Sequence, residues 1–233
     1  MKQPTHVMRL TPEHVARVRR VTGDDGPRPG IAQMGDADYD QYADELAHGL
    51  EGSPLRIFAY GSLIWKPEFE FTHHKPAMLP GWHRAFCMRI ERWRGTREFP
   101  GLMMALERGG CCRGVVYTLP GGHERGQLER ILRREMTNKP PTNMPRLVDV
   151  TVEAAKVKAL TFTASRTAYS YAGKQPLENV ARILAHAAGH WGTGVEYLYN
   201  TVSHLEQHGI HDRNLWRLQA LVAEEIERVE GAN

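Results

Sequence analysis

The chain reads as an α+β protein: a small mixed β-barrel surrounded by helices, with its C-terminal third helical. Three observations lead there. Between Leu55 and Thr163 the apolar segments are short, rich in β-branched and aromatic residues, and bounded by Gly or Pro, as the strands of a small barrel are. From Pro176 to Val229 the apolar residues recur every three or four positions, the period of helices packed on one face. Strands come first and helices last, which is not the alternating order of a doubly wound sheet.

Taken in order, Thr11–Arg20 predicts a short helix, with Thr11 as N-cap, Pro12 at the tolerated first position, and Val15 and Val18 on one face. Residues 23–35 are rich in Gly, Pro and Asp and read as a linker. A second helix is expected over Ala37–Leu50, with Tyr39, Tyr42, Leu46 and Leu50 roughly on one face. These residues carry no recognisable chemistry, so 1–54 is read as an N-terminal helical extension and linker preceding a domain at 55–230. Because strands and motifs begin only at Leu55, removal of residues 1–50 is expected to leave a folded, active domain.

Leu55 opens a buried strand that runs through Ile57, Phe58 and Tyr60 into a Gly61-Ser62 turn. Short strands are expected at His83–Glu91, Gly101–Glu107 and Arg113–Leu119, with Cys111-Cys112 at a hairpin turn and His73-His74 in a polar loop. At Glu124–Met136 the period changes, placing Leu128, Ile131, Leu132 and Glu135 on one helical face. A Pro-rich loop over 140–145 precedes two more strands, Arg146–Glu153 and Ala155–Thr163. Helices at Pro176–Gly189, Val195–His208 and Asp212–Val229 complete the chain, the first two separated by a Gly-rich loop at Gly192–Gly194.

Composition narrows the function. Of 233 residues, 41% are hydrophobic and 24% charged, which excludes wholesale disorder. No apolar run approaches the ~20 residues of a membrane helix, so membrane insertion is not expected. Met1–Leu10 has neither a secretory apolar core nor a transit-peptide pattern, and a cytoplasmic location is expected. Cys87, Cys111 and Cys112 are odd in number and include an adjacent pair, which argues against a disulfide framework. The net charge is +3, with 23 Arg and 7 Lys interspersed among acids rather than gathered into the stripe that binds nucleic acid. Nothing in the pattern sets an oligomeric state.

The common catalytic motifs are absent: no phosphate loop, dinucleotide fingerprint, nucleophile elbow, Cys-x-x-Cys or His-Glu-x-x-His. His204, His208 and His211 have ligand-like spacing, but Gly209 ends the helix between them and histidines suit a helix C-terminus. No metal is expected there or at His73-His74. Cys87 lies in an apolar strand and reads as a small core residue. Arg108 and Arg113 flank Cys111-Cys112, yet no base is arranged for a thiol nucleophile.

Two features remain. Tyr60-Gly61-Ser62-Leu63 follows a buried strand, and a glycine there lets the backbone approach a carboxylate or oxyanion, although many such turns are only turns. Glu135 lies near the end of its helix, on the face of Leu128, Ile131 and Leu132. A carboxylate drawn toward apolar surroundings has a raised pKa and can move protons near neutrality. The competing reading is a surface Glu at a frayed helix end.

Taken together, IFAYGSLIWKPEFEF, GWHRAFCMR, RGTREFPG, GCCRGVVYTL, RREM and AHAAGHWGTGVEYL resemble the ChaC-type γ-glutamylcyclotransferases, in order and spacing, from Ile57 to about Leu221. The resemblance implies a barrel with helices around it and cofactor-free cleavage of glutathione, a small-molecule substrate, into 5-oxoproline and Cys-Gly. It places the substrate loop on Ile57, Phe58, Ala59, Tyr60, Gly61, Ser62 and Leu63, and the catalytic glutamate on Glu135. A tyrosine lining the pocket aligns with Tyr171, with Tyr169 two residues away.

This sequence departs from the family in two places. The loop after Glu135, 137–142, carries no tyrosine, and the segment near the pocket tyrosine reads Tyr171-Ala172-Gly173. The first departure bears on substrate selectivity, so broader γ-glutamyl specificity stands as an alternative. A non-enzymatic regulator binding a cation transporter is a second; it gives Glu135 and Gly61 no role.

Overall fold

The computed structural model describes residues 7–20 and 22–230. Residues 1–6, most of the segment read above for a targeting signal, lie outside the described residues. The chain divides into two compact units, one of Pro29–Ala85 and Ala105–Tyr171, the other of the residues up to Arg28, Phe86–Met104 and the residues from Ala172.

The first of these units is built on the barrel. Its elements are β1 (Ala32–Gln33), α2 (Asp36–Leu50), β2 (Arg56–Ala59), α3 (Ser62–Trp65), β3 (His73–Ile90), β4 (Gly101–Thr118), α4 (Glu124–Glu135), β5 (Asn138–Lys139), β6 (Asn143–Val152) and β7 (Ala155–Ala164), with β3 and β4 running on past Ala85 and before Ala105. Five strands close in the order β2-β4-β3-β6-β7. β6 and β7 form a long antiparallel hairpin from Asn143↔Ala164 to Val152↔Ala155. β2 pairs antiparallel with β4 and parallel with β7, at Ile57↔Leu160. Ile57, Phe58, Leu106, Leu160 and Phe162 fill the interior and are essentially inaccessible. α4 follows the expected period, burying Leu128, Ile131 and Leu132, and α2 packs against it with Tyr39, Ala43, Leu46 and Leu50.

The other unit holds α1 (Pro12–Arg17), α5 (Leu177–His186), the two-residue strands β8 (Ala188–Gly189) and β9 (Gly192–Thr193), α6 (Gly194–Gln207) and α7 (Arg213–Glu230). Leu184, Val195, Leu198 and Val222 form its core. Leu10 is buried with them, and its N–H donates to Gln219 Oε1 at 2.7 Å.

Three expectations need correction. The three short strands foreseen between His83 and Leu119 are two strands of 18 residues each, and His73-His74 begins the first of them rather than lying in a loop. Cys111-Cys112 is not at a hairpin turn but inside β4. Gly109 (φ 105°) and Gly110 (φ 71°) bend that strand without ending it, as glycines at strand irregularities do. The fifty N-terminal residues contribute core side chains, at Leu10, Tyr39, Ala43, Leu46 and Leu50. Among the described residues no helix is long and apolar enough to cross a membrane.

Candidate active site

β2 carries the first part of the site. Ile57, Phe58 and Ala59 have no exposed surface, so they are barrel wall and set the shape behind the loop that follows. A glycine across the sheet permits this closeness: a Cβ on Gly114 would stand 2.4 Å from the Ala59 carbonyl and 2.7 Å from the Phe58 ring. Beyond Ala59 the chain turns through Tyr60 and Gly61 into α3, whose first residues are Ser62 and Leu63. Gly61 has a φ of −140°, so no left-handed turn is present. Its carbonyl accepts from Ile64 N–H at 2.9 Å.

One side chain fastens this loop. Arg84, on β3 and 8% exposed, donates from Nε to the Tyr60 carbonyl at 2.7 Å and from Nη2 to the Arg113 carbonyl. A buried guanidinium needs several acceptors, and two backbone carbonyls on neighbouring segments supply them. From the other side Tyr117 donates its hydroxyl to the Ile64 carbonyl at 3.2 Å.

Glu135 is the last residue of α4, and its side chain retains only 16% exposure. Burial pushes its carboxyl above the ordinary range; the Arg134 guanidinium, 3.2 Å away, pulls it down, and the negative charge of Glu68 pushes it further up. Arg134 also donates to the Pro67 carbonyl at 2.6 Å and pairs with Glu68 at 3.5 Å. The residue preceding Glu135 is therefore tied to the segment that leaves α3. The competing surface reading of Glu135 does not fit this burial.

Tyr171 is half-buried and donates its hydroxyl to Glu107 Oε2 at 3.0 Å; Arg166 donates to the same oxygen at 2.8 Å. Tyr169 differs: it is 49% exposed, and its hydroxyl accepts from Asn138 Nδ2 at 3.3 Å. Sequence reasoning missed both Arg84 and Glu107. The available signal was a charge inside an apolar strand, Arg84 just before Phe86-Cys87-Met88 and Glu107 just after Met104-Ala105-Leu106.

The other candidates go elsewhere. Cys87 and Cys112 are buried and Cys111 is exposed. His204 faces the Asn200 carbonyl in its own helix at 2.8 Å, while His211 pairs with Glu206 at 2.9 Å. Among the described residues no three His, Cys, Asp or Glu side chains converge as metal ligands would.

Comparison with known proteins bears on the family and the fold. A model of the ChaC-like protein family matches residues 55–225. A glutathione-specific γ-glutamylcyclotransferase of Escherichia coli (strain K12) is 34% identical over 171 residues, 73% of this chain and 73% of its own. Gamma-glutamylcyclotransferase 2-3 of Arabidopsis thaliana is 31% identical, covering 68% of this chain and 83% of its own. Among solved structures, a selenomethionine-labelled γ-glutamyl cyclotransferase specific to glutathione from yeast superposes with a TM-score of 0.67 at 21% identity, over 75% of this chain and 97% of that one. That likeness establishes the fold, a mixed α+β fold with a closed five-stranded barrel.

Proposed function

The chain belongs to the ChaC-like protein family, and from that premise we propose that it cleaves glutathione into 5-oxoproline and Cys-Gly, with Glu135 moving the proton. Both reactants are in the substrate. Its α-amine attacks its own γ-carbonyl carbon, a new C–N bond closes a five-membered lactam, and the C–N bond to the cysteine nitrogen breaks. The proton lost by the amine ends on the departing nitrogen, so the atoms balance without water, redox partner or cofactor.

The observation that carries this reading is the largely buried carboxyl of Glu135, held above its ordinary pKa at the end of α4. Such a group is well matched to accept the ammonium proton near neutrality and to return it to the leaving nitrogen. Backbone N–H groups of Tyr60–Leu63 are assigned to the glutamyl end and the developing oxyanion. Ile57, Phe58 and Ala59 support that loop, and Tyr171 lines the pocket. Because nucleophile and electrophile share one molecule, the main task is to fold the substrate into reacting geometry.

All these residues lie within 55–230, which we take as the γ-glutamylcyclotransferase-like domain, preceded by the extension 1–54. The partner is a small molecule rather than nucleic acid, and the setting is the cytoplasm; the interspersed charges and three cysteines without a disulfide support both. A transporter regulator would have no use for a buried carboxyl at Glu135.

The test is incubation of the purified full chain with glutathione and assay of both products. Equal amounts of 5-oxoproline and Cys-Gly are expected, and neither product would overturn the reading. Running γ-Glu-Ala in parallel separates a glutathione-selective enzyme from a broader one by the ratio of kcat/KM.

A further inference from the structure

Residues 32–39 lie outside the family match at 55–225, yet they meet the residues on both sides of Glu135. The Tyr39 hydroxyl donates to the Met136 carbonyl at 2.7 Å. The Met34 N–H donates to the Thr137 carbonyl at 2.9 Å. β1 then pairs antiparallel with β5, Gln33↔Asn138 and Ala32↔Lys139, and Gln33 Nε2 donates to Asn138 Oδ1 at 3.0 Å. On the helical side, Arg133 pairs with Asp36 at 2.8 Å and lies over the Tyr39 ring at 4.5 Å.

The chain leaves helical geometry at this point. α4 ends at Glu135, and Met136 is extended, with φ −130° and ψ 114°. The last carbonyls of a helix have no partner within it and must find one outside. Asn143 Nδ2 reaches the Glu135 carbonyl at 3.4 Å, and Tyr39, buried at 6% exposure, supplies the donor for the Met136 carbonyl. With the Arg133 side chain held by Asp36 and Tyr39 and the backbone held at 136–139, the direction in which Glu135 leaves the helix is fixed as well.

We propose that residues 32–39 form a brace that holds Glu135 in its reacting position, with Tyr39 as the positioning residue. The proposal rests on the reading of Glu135 as the proton-transfer group. It gives the N-terminal extension a role in catalysis through the backbone at 136–139, without contact with the substrate. A misplacement of about 1 Å at a reacting group can cost ~10²-fold in rate, so a partly loosened brace is expected to act on kcat.

The test is Tyr39→Phe in the full chain, which keeps the ring against Arg133 and removes only the hydroxyl. Against glutathione, kcat is expected to fall about tenfold with KM within about twofold of the parent, the signature of an interaction that matters in the transition state. Arg125→Gln is the control. It breaks the pairs with Asp40 and Asp44 at the other end of α4, and should lower the melting temperature without changing kcat. Gln33→Ala, at an exposed position, is the second brace variant, with an expected two- to threefold loss of kcat, about what one hydrogen bond commands. Parent-like kcat in both brace variants, or an equal loss in Arg125→Gln, would overturn the brace. No turnover in the parent would instead overturn the functional reading, and the brace with it.

Discussion

The Tyr171 hydroxyl and the Arg166 guanidinium converge on one oxygen of Glu107, at 3.0 and 2.8 Å. Glu107 is 8% exposed, and two donors on one oxygen are what make a buried carboxylate tolerable. The phenol is thereby a donor to Glu107. Tyr171→Phe removes one hydrogen bond to a charged acceptor and should destabilise by about 1.5–3 kcal/mol. If Tyr171 lines the pocket, KM for glutathione rises while kcat changes little, the pattern of lost uniform binding. An unchanged KM in Tyr171→Phe, with a raised KM in Tyr169→Phe, would transfer the role to Tyr169.

Arg84 supports a second prediction. Arg84→Met keeps the length of the stem but leaves the Tyr60 and Arg113 carbonyls without this donor. Each buried acceptor left unpaired costs about 1–3 kcal/mol, so a clear fall in melting temperature is expected. The loop at Tyr60–Leu63 loses its fastening at the same time, and kcat/KM should fall more than in Arg125→Gln at matched stability. Equal kinetics in the two variants would remove Arg84 from the support of the loop.

The third prediction concerns the extension. Removing residues 1–54 deletes Tyr39, Leu46 and Leu50 from the buried face between α2 and α4. Burial of a large apolar side chain is worth about 1.5–3 kcal/mol, so the 55–233 fragment should melt well below the full chain. Thermal melting of the two proteins checks this, and equal midpoints would show that α2 contributes nothing to the barrel unit. This expectation differs from the sequence reading, in which the first fifty residues were removable. No motif marks these residues; what matters is which helix their apolar face covers.

Most helices were legible from an apolar period and a visible start or stop: α2, α4 and α7 lie within a residue or two of the positions read from their patterns, whereas the four-residue α3 was read as a turn. The barrel hairpin β6–β7 was legible for its run of Val, Leu, Phe and Thr. The long strands were not, since Gly81, Gly109 and Gly110 read locally as turns, and only pairing with neighbours keeps the chain extended through them. β1 and β5 are two residues each and have no period at all. In the site, Glu135 could be found from its place on an apolar helical face. Arg84 and Glu107 act through backbone and side-chain partners distant in sequence, at Tyr60, Arg113, Arg166 and Tyr171, and no local pattern announces such pairs.

The last prediction is the pH behaviour of Glu135. Its pKa is raised chiefly by burial, against the pull of Arg134 and with the repulsion of Glu68. The folded protein therefore binds this proton more tightly than the unfolded chain, whose carboxyl titrates near ~4.3. Below that value neither state is penalised; as pH rises through the window up to the raised value, stability is lost, because charging costs more in the native state. Glu135→Gln never charges, so it should be more stable than the parent at neutral pH, and the gap should narrow as pH falls through that window. Activity moves the other way. The carboxylate is the form that accepts a proton, so the acid limb of kcat/KM should lie above the ordinary carboxylate range, and the Gln variant should lose about 10²–10⁴-fold in kcat. Melting curves from acid to neutral pH and a kcat/KM profile on glutathione test both halves. A Gln variant that is inactive but less stable than the parent at neutral pH would mean that the pairing with Arg134 outweighs burial at Glu135. A variant with parental kcat would remove Glu135 from the reaction.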